Sequence, residues 1–334
     1  MTKKDNILTD TFGRQHNYLR ISLIEKCNLR CTYCMPESGV LLSPKSQLMT
    51  TEEVIDITSL FVKHGVTKIR LTGGEPLLRK DFPEIITELS KLPVALSMTT
   101  NAILVDRYIE VLKKSALKTI NVSLDTLHPE KFNTITKRDQ FAKAFDNMNL
   151  LLNEGFNVKL NVVLLKDFND TEIIDFIEFT KDKKIAVRFI EFMPFDGNQW
   201  DKSKLVSYQE LLRQVATYYS SDALISLPNE DNFTARNFKI QSYEGSFGII
   251  SSVTNPFCDV CNRIRLTANG KLKNCLFSTS ETDLLTTYRA GIPIEPIIQA
   301  TLLKKKAVRA GMTDIKDFEN TSNHNNRSMI TIGG

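Results

Sequence analysis

From Tyr18 to Phe192, short β-branched and apolar runs alternate with amphipathic helical stretches, and this alternation restricts the chain more than any other feature. Strands separated by a helix return through crossovers and so lie parallel, giving an α/β sheet covered by helices. Six strands are predicted, at Tyr18–Ile24, Lys68–Leu71, Val94–Thr99, Thr119–Leu124, Val158–Leu164 and Ala186–Phe192, with helices such as Glu52–Lys63, Arg107–Lys114 and Lys143–Asn153 between them. Thr50 and Glu53 form a capping-box pair before the first of these helices, and Gly65 suits its end. Six units are fewer than the eight of a closed TIM barrel. The expectation is an incomplete (β/α)6 TIM-like barrel, with its site at the C-terminal strand ends and a smaller C-terminal domain covering the open side.

Beyond Pro194 the pattern changes to a helix, an irregular loop and a hairpin at Asn269-Gly270, a two-residue turn signal. The predicted division is a barrel over 1–195, a second domain over 196–322 and a tail over 323–334 ending in Gly-Gly. No stretch of about 18 uninterrupted apolar residues occurs, so the expected location is the cytoplasm rather than a membrane. The net charge of +4 is too small to indicate a nucleic-acid partner, and no interleaved aromatic and basic platform is visible.

The six cysteines form two sets of three, Cys27-x-x-x-Cys31-x-x-Cys34 and Cys258-x-x-Cys261 with Cys275. Such spacing in a chain without an export signal reads as metal or cluster ligation rather than disulfides. The first set follows the first strand directly. Three thiolates on a four-iron cluster leave one iron open to a small ligand, whereas a zinc site wants a fourth protein ligand that this loop lacks. The second set is drawn together by the hairpin and again leaves an open iron; a zinc alternative there would need a remote ligand such as His324. Gly73-Gly74-Glu75-Pro76 follows the second strand, where glycines permit close backbone approach and a carboxylate can accept from an ammonium. Thr99-Thr100-Asn101 ends the third strand, and Asn121, Ser123 and Asp125 end the fourth. Arg263 and Arg265 alternate after Cys261, so on a strand both guanidinium groups share one face, an arrangement suited to phosphates.

The first triplet, with Tyr33 before its last cysteine, resembles the radical S-adenosylmethionine superfamily. Both triplets, the intervening motifs and the ending Ile332-Gly333-Gly334 together resemble the GTP 3′,8-cyclases of molybdenum cofactor biosynthesis over nearly the whole chain. The resemblance departs at Ala102, where many relatives carry glycine. It implies two [4Fe-4S] clusters on the six cysteines, and S-adenosyl-L-methionine contacted by Tyr33, Gly74, Glu75, Thr99, Ser123, Lys159 and Met193. It also implies GTP held by Arg20, Lys68, Arg70, Arg188, Arg263 and Arg265, and catalytic parts for Arg265 and for Gly333 and Gly334, which would thread into the site. The activity implied is radical conversion of GTP to 3′,8-cyclo-7,8-dihydro-GTP. The implied partners are a reductant protein, a downstream cyclic pyranopterin monophosphate synthase and a second copy in a homodimer. Two alternatives remain at this point: a radical S-adenosylmethionine enzyme with an auxiliary cluster and another substrate, and a zinc-stabilised nucleotide- or RNA-binding module.

Overall fold

The structure is a computed structural model that describes residues 6–36, 38–229, 231–320 and 326–333. His324 and Gly334 therefore lie outside the described residues. The six predicted strands are present as β1 (Tyr18–Ser22), β2 (Lys68–Thr72), β3 (Ala95–Thr100), β4 (Leu117–Ser123), β5 (Asn157–Leu164) and β6 (Ala186–Glu191). Helices α1 (Thr51–Lys63), α2 (Phe82–Leu89), α3 (Val105–Lys114), α4 (Pro129–Thr136), α5 (Phe141–Asn153) and α6 (Ile173–Glu178) lie between them in sequence. The six strands pair parallel in chain order. Their two faces differ sharply. Leu19, Ile21, Ile69, Leu71, Val158 and Leu160 are sealed in one core with Val54, Ile57 and Phe61 of α1, while alternate positions carry Arg20, Arg70, Asn121, Asn161 and Arg188. Period-two alternation thus puts the apolar face toward the helices and the polar face toward the interior. The capping box opens α1: Glu53 N–H donates to Thr50 Oγ1 at 3.3 Å and Thr50 N–H donates to the Glu53 carboxylate at 2.8 Å.

After Pro194 come helix α7 (Tyr208–Tyr218) and strands β7 (Leu224–Ser226), β8 (Arg236–Ile240), β9 (Ser246–Ile250), β10 (Arg263–Leu266), β11 (Lys271–Lys273) and β12 (Thr282–Asp283). They lengthen the same sheet at both edges: β9 pairs parallel with β6, and β10 pairs parallel with β1. The result is a twelve-stranded, mostly parallel sheet in the order β12-β11-β10-β1-β2-β3-β4-β5-β6-β9-β8-β7. The predicted two-residue hairpin turn is corrected. Thr267 and Lys271 close a loop of three residues, and only Gly270 takes positive φ, at 68°. That is a type I turn followed by a left-handed glycine, which tolerates asparagine in the ordinary right-handed region. Among the described residues no helix is long and apolar enough to cross a membrane.

Candidate functional site

The polar ends of the parallel strands open on a cavity of about 300 Å³ lined by all six cysteines, Cys27, Cys31 and Cys34 from the loop after β1 and Cys258, Cys261 and Cys275 from the segments flanking β10 and β11. All six are free thiols. Two close backbone bonds fix the first loop against the loop after β2: Gly74 N–H donates to Ile24 O at 2.7 Å and Glu75 N–H to Lys26 O at 2.8 Å. Gly74 is required there because a Cβ would run into the carbonyl of Lys26 and sit 3.0 Å from the Cys27 nitrogen. Tyr33, between Cys31 and Cys34, donates its hydroxyl to Asp125 at 2.7 Å, and Asp125 also accepts from Val163 N–H at 2.8 Å. This ties the cysteine loop to the ends of β4 and β5. Burial pushes the Asp125 carboxyl up to about 6 despite those two donors.

Glu75 lines the cavity, but its carboxylate already accepts from Thr100 Oγ1 at 2.8 Å, Asn101 N–H at 2.8 Å and Leu77 N–H at 3.1 Å. Burial nevertheless raises it to about 7. Its role within the chain is to hold the turn after β3, where Asn101 Nδ2 lies 3.7 Å from Cys27 Sγ. That turn contains Ala102 at φ 65°, a left-handed conformation that costs an alanine about 1 kcal/mol. Bonds from Asn147 Nδ2 to the Ala102 carbonyl at 2.7 Å, and from Ala102 N–H to Thr100 Oγ1 at 3.0 Å, pin it there. Gly74, Thr99, Ser123 and Met193 line the cavity. Lys159 is not among the lining residues; it shares the inward face of β5 with Asn161 and Val163, which are.

The basic residues are arranged by register. Arg265 on β10 lies opposite Arg20 on β1, which lies opposite Arg70 on β2. Next to this row, Arg263 and Lys68 flank Tyr18, whose ring carries Lys68 Nζ at 5.0 Å and the guanidinium carbons of Arg20 and Arg70 at 5.5 Å each. Burial pushes the Tyr18 phenol up, but Arg70, Arg20, Lys68 and Arg188 together bring it to about 8. Burial, with Arg70 beside it, brings Arg20 down to about 10, and burial with Arg20 nearby holds Arg265 well below the arginine range. Among the described residues no carboxylate forms a salt bridge with Arg20, Arg70, Arg263 or Arg265, and Arg20 Nε, Arg70 Nε and Arg263 Nη2 are enclosed without a hydrogen-bond partner. Arg188 donates to Asn121 at 3.2 Å. Lys68 does not line the cavity; it lies opposite Tyr18 in register. Arg265 donates to the carbonyl of Gly333, so the tail reaches the arginine row. A Cβ at Gly333 would lie 3.0 Å from that of Ser22 and collide with Thr72 Oγ1.

The donor set fits iron–sulfur clusters better than zinc. Among the described residues no three cysteine, histidine or carboxylate side chains converge closely enough to hold a single ion, whereas a four-iron cluster takes each thiolate at a separate corner. Leu29 N–H already donates to Cys27 Sγ at 3.4 Å, the kind of bond that stabilises a ligating thiolate. Burial holds Cys27 at about 11 and Cys34 at about 12 as thiols, so positive charge must arrive with the ligand that deprotonates them. Cys261 differs: burial raises it, but Lys305 and Arg263 overcome that and bring it to about 6. Asp125, Asn101 and Lys305 were not assigned from the sequence. The first two lay within motifs at strand ends; Lys305 has no local signal.

Residues 21–180 match the Radical SAM superfamily and residues 185–310 match Molybdenum Cofactor Synthesis C. The chain is 47% identical over 331 residues to "Molybdenum cofactor biosynthesis protein 1" of Homo sapiens, covering 97% of this chain and 51% of that protein. It thus spans about half the length of several relatives of that name. It is 38% identical to "GTP 3′,8-cyclase" of Listeria welshimeri over 98% of this chain and 99% of that one. The fold is similar to that of Streptococcus suis SuiB, with a TM-score of 0.62 at 17% identity, covering 96% and 78% of the two chains. With near-complete coverage of a relative at this identity, and a cavity bringing together both cysteine triplets, the chain belongs to the GTP 3′,8-cyclase family, whose cofactors are two [4Fe-4S] clusters and S-adenosyl-L-methionine.

Proposed function

We propose that this chain is a radical S-adenosylmethionine lyase that converts GTP to 3′,8-cyclo-7,8-dihydro-GTP, an early step of molybdenum cofactor biosynthesis. The observation that carries the reading is the unneutralised row Arg265–Arg20–Arg70, which faces the same cavity as both cysteine triplets. Like charges in direct register are unfavourable unless an anion joins them, and a triphosphate supplies that charge with geometry matched to guanidinium groups.

Cys27, Cys31 and Cys34 would hold the first cluster and Cys258, Cys261 and Cys275 the second. When bound, the first cluster and S-adenosylmethionine supply a 5′-deoxyadenosyl radical for removal of the ribose C3′ hydrogen. The chain's own work is to position and exclude water. Tyr33, Gly74, Glu75, Thr99, Ser123, Lys159 and Met193 form the S-adenosylmethionine side, with Glu75 acting through the Thr100–Asn101 turn. Arg20, Lys68, Arg70, Arg188, Arg263 and Arg265 take the triphosphate. Arg265, whose guanidinium is held well below its ordinary range by burial and by Arg20, is suited to deliver a proton to the product. Gly333 narrows the opening beside Arg265, and the catalytic part proposed for the diglycine extends to Gly334 by family resemblance alone.

At the level of architecture we read β1–β6 as an incomplete (β/α)6 barrel, with 196–322 as the smaller domain covering its open side, although hydrogen bonding of β9 and β10 joins the two parts in one sheet. The tail 323–334, a cytoplasmic homodimer, a protein reductant and a downstream cyclic pyranopterin monophosphate synthase complete the proposal. The deciding experiment is anaerobic reconstitution and reduction, with 5′-deoxyadenosine and an isomer of dihydro-GTP followed by mass spectrometry in the presence of GTP or ATP. GTP-dependent formation of both establishes the activity. Release of 5′-deoxyadenosine with no GTP-derived product would make the substrate wrong.

A further inference from the structure

Lys305 follows the helix Glu295–Leu303 and is 4% exposed. Its Nζ donates to the Arg263 carbonyl at 3.0 Å, and lies 3.6 Å from Cys261 Sγ and 3.4 Å from His16 Nδ1. His16 is fully buried, and its Nε2 is 3.1 Å from Asp10 Oδ2. Asp10 also pairs with Arg14 Nε at 2.7 Å, and Arg14 donates to the Cys258 carbonyl at 2.9 Å. A carboxylate can only accept, so His16 carries its proton on Nε2, leaving the Nδ1 lone pair toward the ammonium. Burial, with the charge of Lys305, keeps that imidazole neutral, its pKa near 3.

A buried ammonium needs a compensating charge. Among the described residues no carboxylate lies within ion-pair distance of Lys305, and Asp10 is occupied by Arg14 and His16. The remaining acceptors around Nζ are a carbonyl, a neutral imidazole and the sulfur of Cys261. We propose that Lys305 is the counter-ion and N–H donor of the Cys261 thiolate, and that it raises the reduction potential of the iron–sulfur cluster held by Cys258, Cys261 and Cys275. Reduction adds negative charge to a cluster, and a cation buried beside one sulfur stabilises that added charge where little water screens it. Among the described residues, the side-chain and backbone donors at Cys27 Sγ are the neutral Leu29 amide and Asn101 carboxamide, and the Arg30 guanidinium beside them is exposed and donates to the Cys27 carbonyl rather than to its sulfur. The two clusters are thereby given different potentials by the chain itself.

The inference rests on the second triplet holding a cluster, and the test separates the two claims. Fully loaded protein is titrated with a reductant and followed by electron paramagnetic resonance, comparing wild type with Lys305→Arg, Lys305→Gln and Lys305→Met. The expected result is a second-cluster midpoint that stays near wild type in the arginine variant, falls in the glutamine variant and falls furthest in the methionine variant, while the first cluster's midpoint does not move. If the methionine variant does not fold, the glutamine variant decides by the same shift. Unchanged second-cluster midpoints in the glutamine variant would overturn the proposal, as would equal shifts of both clusters. Wild-type protein with about four irons per chain and a single reduction would remove the second cluster and, with it, the reading on which the inference stands.

Discussion

Arg20 is pulled in two directions by its neighbours. It lies between Arg265 and Arg70 in register, its Nε is enclosed without a partner, and burial and Arg70 lower its pKa to about 10. In the nucleotide-free molecule that charge is a liability, and its replacement by methionine removes repulsion on the order of 1 kcal/mol. We therefore expect Arg20→Met to raise the melting temperature of nucleotide-free protein by about 2 °C, while weakening GTP binding. Calorimetry with and without GTP checks the opposite signs, and a fall in both would show that Arg20 is structural. Arg263 separates differently, because its ring partner is Phe257 at 5.0 Å and its Nη2 is unsatisfied. Loss of one charge-assisted phosphate bond of about 1.5–3 kcal/mol predicts that Arg263→Ala weakens GTP binding roughly 10- to 150-fold. The first triplet does not involve Arg263, so the first cluster is retained, and unchanged GTP affinity in equilibrium dialysis would remove this residue from the site.

At the scale of elements, the loops after β1 and β2 behave as one unit. The bonds from Gly74 and Glu75 to Ile24 and Lys26 clip them together, and Gly74 is pressed against the backbone of Lys26 and Cys27. Alanine there must displace Cys27, so Gly74→Ala should lose the first cluster and keep the second, halving the iron content and abolishing S-adenosylmethionine cleavage. Retention of full iron in that variant would mean that the loop can yield. Much of this arrangement was legible in the sequence: strands β1–β6 announce themselves by local β-branched runs, and alternation places Arg263 and Arg265 on one face, whereas the register that sets Arg20 beside Arg70 appears only in the fold. The parallel joining of β9 to β6 and of β10 to β1 was not, because neither partner carries a local mark of the other. The same reason hides Lys305 and Asp125, ordinary in their own segments and functional only through what the fold sets beside them. The turn at Gly270 was visible, but its three-residue closure depends on Thr267 and Lys271.

On the scale of the whole molecule, strands from the beginning and end of the chain meet at β1 and β10, so the two cysteine triplets, distant in sequence, share one cavity with the arginine row. The tail closes the same space. Ser328 donates to the Cys34 carbonyl at 2.7 Å, Arg327 pairs with Glu25 at 2.7 Å and with Glu281 at 3.0 Å, and the Gly333 carbonyl accepts from Arg265. A molecule built around unneutralised buried cations gains stability from any polyanion that reaches them, by mass action at about 2.7 kcal/mol for ligand at 100 times its Kd. The gain should follow the phosphates more than the base. We expect tripolyphosphate and GTP each to raise the melting temperature of anaerobically loaded protein, and guanosine at the same concentration to raise it far less. Because the arginines are enclosed, the effect of tripolyphosphate should survive moderate salt that would abolish binding to an exposed patch, whose charges are screened over about 10 Å at 0.1 M ionic strength. If guanosine stabilises as well as GTP while tripolyphosphate does nothing, nucleotide affinity resides in base recognition, and the row Arg265–Arg20–Arg70 is not what draws the substrate in.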